Sequence, residues 1–480
     1  MIQRLICAGF GLLGMTFAVP GKSQEPWKLE TDGPYATKWR LEVIDRIRGE
    51  FVDWFDSNTR ESTYNFTANK FQLGVRVLHP HLEGFVQFQD TFLTGLPKNG
   101  VGVGANYFLN TPETTQNRAF LRQGWARVKY GPFYLQGGRQ LYSDSNQGAA
   151  THPALKWIQD YRLAQRLIGP FEYTHAGRSF DGGTLGMLTE DFEIAGFAFM
   201  PTAGGFEIAG QSTLTDIHVA GITLSLRDSK TFGHTLGRLF WTYYDDNRKL
   251  TAADNRPLAV RQRTRSEEIR IHTLGASAAR LWTLEPGLLD GLAYFYGQFG
   301  DWQNLDHRAW AYGVEAGYQL PNTWGTPWFR AGINVGSGDS SPNDGTHKTF
   351  FQMLPTAWLY AQFPFYNMMN NQDVFAQLIL KPHPMVTVRA DFHWLKLHES
   401  KDLVYAGAGA TSERVFGFNG FPSEGSRELA YLAHVMLSFK PFPFLCFNFL
   451  YAHAFGQEAL DPQFSGRQAN YGFAEAVVSF

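Results

Sequence analysis

The 480-residue chain balances 42 Lys and Arg against 44 Asp and Glu, for a formal charge of −2, and its mean hydropathy is −0.26. That balance, with no basic run longer than the Arg261, Arg263, Arg265 cluster, gives no sign of a nucleic-acid partner, and none is expected. After the first residues no apolar run is long enough for a membrane helix, which excludes a helical bundle but not a barrel, since only alternate residues of a barrel strand meet lipid.

Arg4, the apolar run from Leu5 to Val19 and the small residues Gly21 and Ser23 read as a secretory signal peptide over residues 1–23. Residues 24–480 then form one domain. With the leader removed Cys446 is the one remaining cysteine, so no intramolecular disulfide is expected in an oxidising compartment.

From residue 38 the chain alternates. Trp39, Leu41, Val43, Ile47 and Phe51 share a parity opposite Arg40, Glu42, Arg46, Arg48 and Glu50; Ile44 and Asp45 break the rule, which a bulge or an interface position would absorb. Phe71, Leu73, Val75 and Val77 oppose Gln72 and Arg76. Val386, Val388, Ala390, Phe392 and Trp394 oppose Arg389, Asp391 and His393, and Leu429 to Phe439 repeats the pattern. Strand windows fall at 38–52, 70–78, 82–93, 118–130, 133–141, 183–200, 216–227, 235–245, 267–280, 291–300, 308–319, 327–336, 373–381, 385–397, 429–440, 445–454 and 471–480, some of them long enough to hide a hairpin. Longer polar stretches lie at 95–117, 142–170, 246–266, 338–372 and 399–427.

At roughly 25 residues per strand and connection the mature chain makes about 16 to 20 strands, and an even number suggests about 18. The expected fold is an all-β transmembrane antiparallel barrel in the bacterial outer membrane. An arginine facing lipid at mid-bilayer costs about 2–4 kcal/mol, so Arg40, Arg46, Arg48, Arg76 and Arg389 are expected to point into a wet lumen. The aromatic clusters Trp241, Tyr243, Tyr244 and Tyr294, Phe295, Tyr296 are expected at the headgroup level.

Several motifs have a recurrent order. These are Arg122 and Trp125, Gly138-Arg139-Gln140, Tyr142, Arg166-Leu167-Ile168-Gly169, Phe171-Glu172 and Arg178-Ser179-Phe180-Asp181-Gly182. In the second half come Gly336-Ser337-Gly338-Asp339, Asn343-Asp344-Gly345, Thr349-Phe350-Phe351, Asn370-Asn371-Gln372-Asp373 and Asp402-Leu403-Tyr405. Together they resemble the alginate export family of bacterial outer-membrane porins, over most of the mature chain. The closing alternating strand, which ends on Phe480, resembles the terminal strand that barrel-insertion machinery recognises.

The resemblance implies an 18-stranded monomeric barrel whose luminal arginines draw an anionic polysaccharide outward, with acidic residues and loops gating the pore. By that resemblance Arg46, Arg76 and Arg122 match pore-lining positions, and Arg139 is expected on the lumen-facing parity; Arg389 and Asp391 join them from the alternation of their strand. Three departures, Gln123 for an acidic residue, Leu141 for an arginine, and Phe447 with Phe449 in a strand that usually bears arginine, leave the polymer open.

Guanidinium groups can replace the water that each uronate carboxylate loses in a constriction, and evenly placed weak sites conduct better than one deep pocket. The partners expected are an anionic polysaccharide or small anionic solutes, outer-membrane lipid and a periplasmic scaffold protein. A general or sugar-acid porin is the alternative. No catalytic residue, cofactor or metal is expected: no Gly-x-Ser-x-Gly elbow occurs, the Asp339 to Asp344 stretch reads as a solvated turn, His79-Pro80-His81 as a strand-end turn, and Gly102 and Gly104 lack a strand-to-helix setting.

Overall fold

A computed structural model describes residues 29–480 apart from Tyr35, Lys230 and Ala361, so the signal-peptide reading and Cys7 lie outside the described residues. The alternating segments form eighteen wall strands: β1 (Lys38–Asp53), β2 (Thr63–Leu78), β3 (Leu82–Thr94), β4 (Thr115–Tyr130), β5 (Phe133–Gln140), β6 (Phe180–Leu188), β7 (Phe192–Pro201), β8 (Ile217–Leu226), β9 (Thr235–Asp246), β10 (Ile269–Leu284), β11 (Gly287–Trp302), β12 (Leu305–Gln319), β13 (Trp328–Gly336), β14 (Asn371–His383), β15 (Val386–Leu397), β16 (Glu428–Phe442), β17 (Leu445–Gly456) and β18 (Gln468–Ser479). Each pairs antiparallel with the next, and β1 returns to β18 from Ile44↔Ser479 to Asp53↔Asn470, closing an 18-stranded barrel. Closure satisfies the backbone of every wall strand within the sheet, which a membrane requires.

Parity sorts the side chains as the alternation demands. Leu73, Val75, Val86, Phe88, Val435 and Phe449 are exposed on the outer surface, while Lys70, Gln72, Gln87 and Gln89 of the same or neighbouring strands are buried inside. The connections are equally asymmetric. Residues 79–81, 131–132, 189–191, 285–286, 384–385 and 443–444 make tight turns at one end; 95–114, 141–179, 247–268, 337–370 and 398–427 are long segments at the other. Short turns belong on the periplasmic side.

Three local readings change. The 183–200 window is a hairpin, β6 and β7 joined through 189–191, and it supplies the strand missing from the seventeen windows. The irregularity in β1 is not a bulge: its register with β2 is unbroken, Ile44 is buried inside, and Asp45 stays on the outer parity with its carboxylate accepting from Asn69. The bulge is in β4 instead, where the partners of Gln87 and Phe88 are Gln123 and Leu121, so that Arg122 and Gln123 both bury inward. The aromatic belt also loses members, since Tyr244, Tyr294 and Tyr296 are buried in the lumen.

Those tyrosines meet a plug. The 141–179 segment enters the barrel through α1, a helix of Pro153–Ile158 that begins with the His152 ring accepting from the Ala154 N–H and proline in its first turn, and continues as a π-helical turn over Gln159–Leu163. Its Leu155, Ile158 and Leu163 pack with Phe350, Met353, Leu354, Leu359 and Phe363 of the 337–370 segment and Val404 of the 398–427 segment. The Tyr173 and Trp358 rings stack at 4.4 Å. Outside the barrel lipid surrounds the apolar residues, so the interior is where these side chains leave water.

Candidate luminal channel site

Glu172, near the end of the plug segment, is the hub between plug and wall. Its Oε2 accepts from Lys70 Nζ at 2.7 Å, its Oε1 accepts from Arg122 Nη2, and its backbone carbonyl accepts from Arg46 Nη1 at 2.9 Å. Burial works to raise the Glu172 carboxyl, but the Arg122 and Lys70 cations outweigh it and hold the group down at about 2. Arg46 Nη2 also donates to the Thr174 carbonyl at 2.8 Å and approaches His175 Nδ1 at 3.1 Å, while His175 Nε2 lies 2.7 Å from Glu50 Oε1. These contacts fix one tautomer, with the proton on Nε2 and Nδ1 accepting. Burial pushes the His175 imidazole down to about 3, so the ring stays neutral.

Deeper in the plug, three guanidinium groups converge on one carboxylate. Arg162 Nη2 is 2.7 Å, Arg166 Nη2 3.3 Å and Arg330 Nη1 3.1 Å from Glu315, and Arg330 Nη2 reaches Asp290 at 2.9 Å. Arg162 belongs to the π-helical turn and Arg166 follows it past the bend at Ala164 and Gln165, its Nε donating to the Arg162 carbonyl at 2.6 Å; Glu315 and Arg330 face them from β12 and β13. Arg178 donates to the carbonyls of Leu354, Ala408 and Ala410, each at 3.0 Å, binding the three long segments together. Removing one member of such a buried network costs about 3–5 kcal/mol because a charge is left without its counterpart.

The residues singled out in the sequence have separate placements. Arg46 and Arg122 face inward and dock the plug. Arg389 faces inward and forks onto Asp391, its Nε 2.9 Å from Oδ2, where Gln377 Nε2 also donates at 2.9 Å. Arg76 is inward but near the short-turn end, held between Glu42 at 2.7 Å and Glu83 at 2.9 Å across its two neighbouring strands. Arg139 departs from expectation. It shares its parity with the exposed Phe133 and Leu135, opposite the buried Gln136 and Gln140, and pairs bidentately with Asp181 at 2.7 and 2.8 Å. The Gly138 and Gly182 register pair beside it, both with positive φ, leaves the outer parity unchanged.

Between the plug and the short-turn end lies a cavity of about 560 Å³. The turns 384–385 and 443–444 form its floor, Trp358 and Tyr173 its roof. Six cationic side chains line it, Arg46, Arg48, Lys70, Lys156, Arg389 and Lys440, against the three carboxylates Asp160, Glu172 and Glu475. Arg48 is the most committed of the six: it ion-pairs with Glu475 at 2.6 Å and lies over the Phe473 ring at 4.4 Å. Lys440, at the cavity mouth, has no carboxylate against it in the described ion pairs. Of this set, Lys70, Lys156, Asp160, Lys440 and Glu475 were not singled out as site residues by sequence; the alternation of β2, β16 and β18 carried the signal for Lys70, Lys440 and Glu475, and none marked Lys156 or Asp160, which belong to the plug.

Comparison with known proteins follows the same lines. The alginate export family model matches residues 45–428. No curated protein sequence matches the chain. Among solved structures, Acinetobacter baumannii OccAB4 aligns with a TM-score of 0.56 at 9% identity, covering 94% of this chain and 99% of that one. Pseudomonas aeruginosa OccK8 (OprE) aligns at 0.53 and 10% identity over 92% and 98%. P. aeruginosa OpdK with vanillate aligns at 0.54 and 9% identity over 92% and 98%. At such identities the likeness establishes the fold, an outer-membrane porin barrel.

Proposed function

The chain belongs to the alginate export family and is an outer-membrane β-barrel channel, and from that premise we propose that it conducts an anionic, uronate-rich polysaccharide outward along its basic lumen. The observation that carries the reading is the excess of cations over carboxylates around the cavity below the plug. A uronate polymer presents one carboxylate per sugar. Arg46, Arg389 and Lys440 offer donors around the cavity, and Arg46 and Arg389 are already partly engaged by the plug and by Asp391, so that neither would trap the chain. Low-dielectric walls concentrate anions there, and salt weakens that effect.

The plug fills the loop end, so passage of a polymer requires the 141–179 segment to shift from its Glu172 anchorage. A second reading has a specific observation behind it: a cavity of about 560 Å³ suits a small carboxylate without any movement of the plug, and OpdK is a neighbour whose structure holds vanillate. In either case we take the barrel as a monomer in outer-membrane lipid, with a periplasmic scaffold as the partner at the short-turn end. Planar-bilayer recording distinguishes the cargoes. Block of the anion current by polyuronate but not by the monomeric uronate supports the polymer; block by the monomer alone supports the small-solute porin, and block by neither removes both.

A further inference from the structure

The lumen-facing parity of β14, β15 and β16 brings together side chains that the channel reading does not use. Asp391 and His393 are two residues apart on β15, and His434 stands opposite Asp391 in the β16 register. Asp373 lies on β14, across from them. All four are buried, with His393 0% and His434 2% exposed.

Their hydrogen bonding is incomplete. His393 Nδ1 lies 2.8 Å from Asp373 Oδ1, so that nitrogen carries the proton and Nε2 is left with its lone pair. His393 Nε2 and both ring nitrogens of His434 have no hydrogen-bonding partner in the protein, an outstanding cost for buried polar atoms. His434 Nε2 is 3.2 Å and His393 Nε2 3.9 Å from the same oxygen, Asp391 Oδ2, without the alignment of hydrogen bonds. One donor atom from each of Asp391, His393 and His434 lies within 4.8 Å of the other two. Donors on adjacent corners of a tetrahedral zinc site stand about 3.3 Å apart, given metal–nitrogen bonds near 2.0–2.1 Å. Small rotations of three side chains reach that figure.

We propose that His393 Nε2, His434 Nε2 and Asp391 Oδ2 bind a divalent transition-metal ion of the zinc class inside the barrel wall. Asp373 orients His393 through Nδ1, the carboxylate–histidine arrangement that raises ligand basicity. Arg389 and Gln377 hold the Asp391 carboxylate in place. With both imidazoles neutral, the cluster contributes two carboxylates, Asp373 and Asp391; Arg389 pairs with Asp391, and Arg162, whose own partner is Glu315, faces them both. Two imidazoles and a carboxylate suit zinc, cobalt or iron(II) better than calcium or magnesium, which prefer all-oxygen shells. Three protein donors leave a position for water. The ion ties β15 to β16, beside Arg389 on the cavity wall, and it revises the expectation of a metal-free barrel.

The test is titration of the full-length barrel in detergent with cobalt(II), followed by zinc. We expect one cobalt per barrel with the intense visible absorption of a four-coordinate site, displaced by zinc, and a zinc-dependent rise in unfolding temperature. His434→Gln and His393→Ala remove both signals. Asp373→Asn weakens binding about 10–100-fold. The His79→Ala, His81→Ala double variant, altered at a short turn, binds as the unmodified protein does. Absence of stoichiometric cobalt on the folded, unmodified barrel overturns the proposal, as does undiminished binding by folded His434→Gln. If neither luminal histidine variant folds, the cobalt spectrum of the unmodified barrel decides by itself, since only a four-coordinate signature agrees with the site.

Discussion

Replacing Glu172 by glutamine tests the anchorage of the plug with the least change of shape. The amide keeps the volume and leaves the backbone carbonyl on Arg46, but removes the charge between Lys70 Nζ and Arg122 Nη2. Stranding buried cations costs about 3–5 kcal/mol. An independent route gives a similar figure: the carboxyl is held at about 2 against an ordinary value of 4.5, and at 1.36 kcal/mol per pH unit the difference is roughly 3 kcal/mol. A change of that size shifts the balance between docked and displaced plug by about a hundredfold or more. In planar bilayers Glu172→Gln should therefore open more often and to a larger conductance, with a barrel of unchanged circular dichroism.

Acid should act at the same place. The carboxyl is depressed in the docked state, so its contribution is complete above about pH 4.5 and is lost as pH falls from there towards 2. The unmodified channel opens as pH falls through that window, and Glu172→Gln lacks the step. Identical gating of the two proteins at neutral pH, or an acid response that survives in the variant, would refute the idea that this carboxylate holds the plug.

Two further outcomes follow from the cavity. Lys156→Glu with Lys440→Glu alters the cavity charge by four without touching the Glu172 or Glu315 networks, and should move the reversal potential from anion towards cation preference; an unmoved potential would mean that ions take another path. Cys446, the one cysteine among the described residues, lines the same cavity, so a maleimide that reaches the short-turn end should label it and reduce the current. Cys446→Ser should be insensitive, and full current after complete labelling would place the conducting route elsewhere.

The wall was legible because each strand repeats a two-residue pattern that lipid and lumen enforce independently. Where one residue type serves both faces, legibility stopped. Tyr294 and Tyr296 look like interface aromatics, yet they face inward because the plug offers them rings and guanidinium groups, Arg166 lying 4.6 Å over Tyr294. The plug itself was read only as a longer polar stretch. Trp157 stacks on Tyr161 at 5.2 Å and meets Trp328 of β13 at 5.0 Å, while Leu155 and Ile158 share a buried cluster with side chains about two hundred residues further on, in the 337–370 segment.

Arg46 and Arg389 could be placed inside from strand parity and the cost of charge in lipid, and Arg122 from the family resemblance, whereas their carboxylates could not be assigned. Arg122 took its place through a bulge that composition does not announce. Arg139 went astray because a motif suggested an inner position and the count from Leu135 gives the outer one. His393 and His434 had no motif at all. Register across two strands puts their rings 5.6 Å apart.

The seam between β1 and β18 joins the first wall strand to the last. Arg48 on one side of it bonds Glu475 on the other, 427 residues away in sequence, and Tyr471 bonds Glu50 at 2.6 Å while its hydroxyl meets that of Tyr173 from the plug. A growing ribbon of hairpins therefore keeps two raw margins until its final member arrives, and such margins invite pairing with a stranger. The receptor for Tyr173 does not exist before that moment. The contacts thus tie one corner of the stopper's seat to the closing seam, so that corner is complete only when the cylinder is zipped shut.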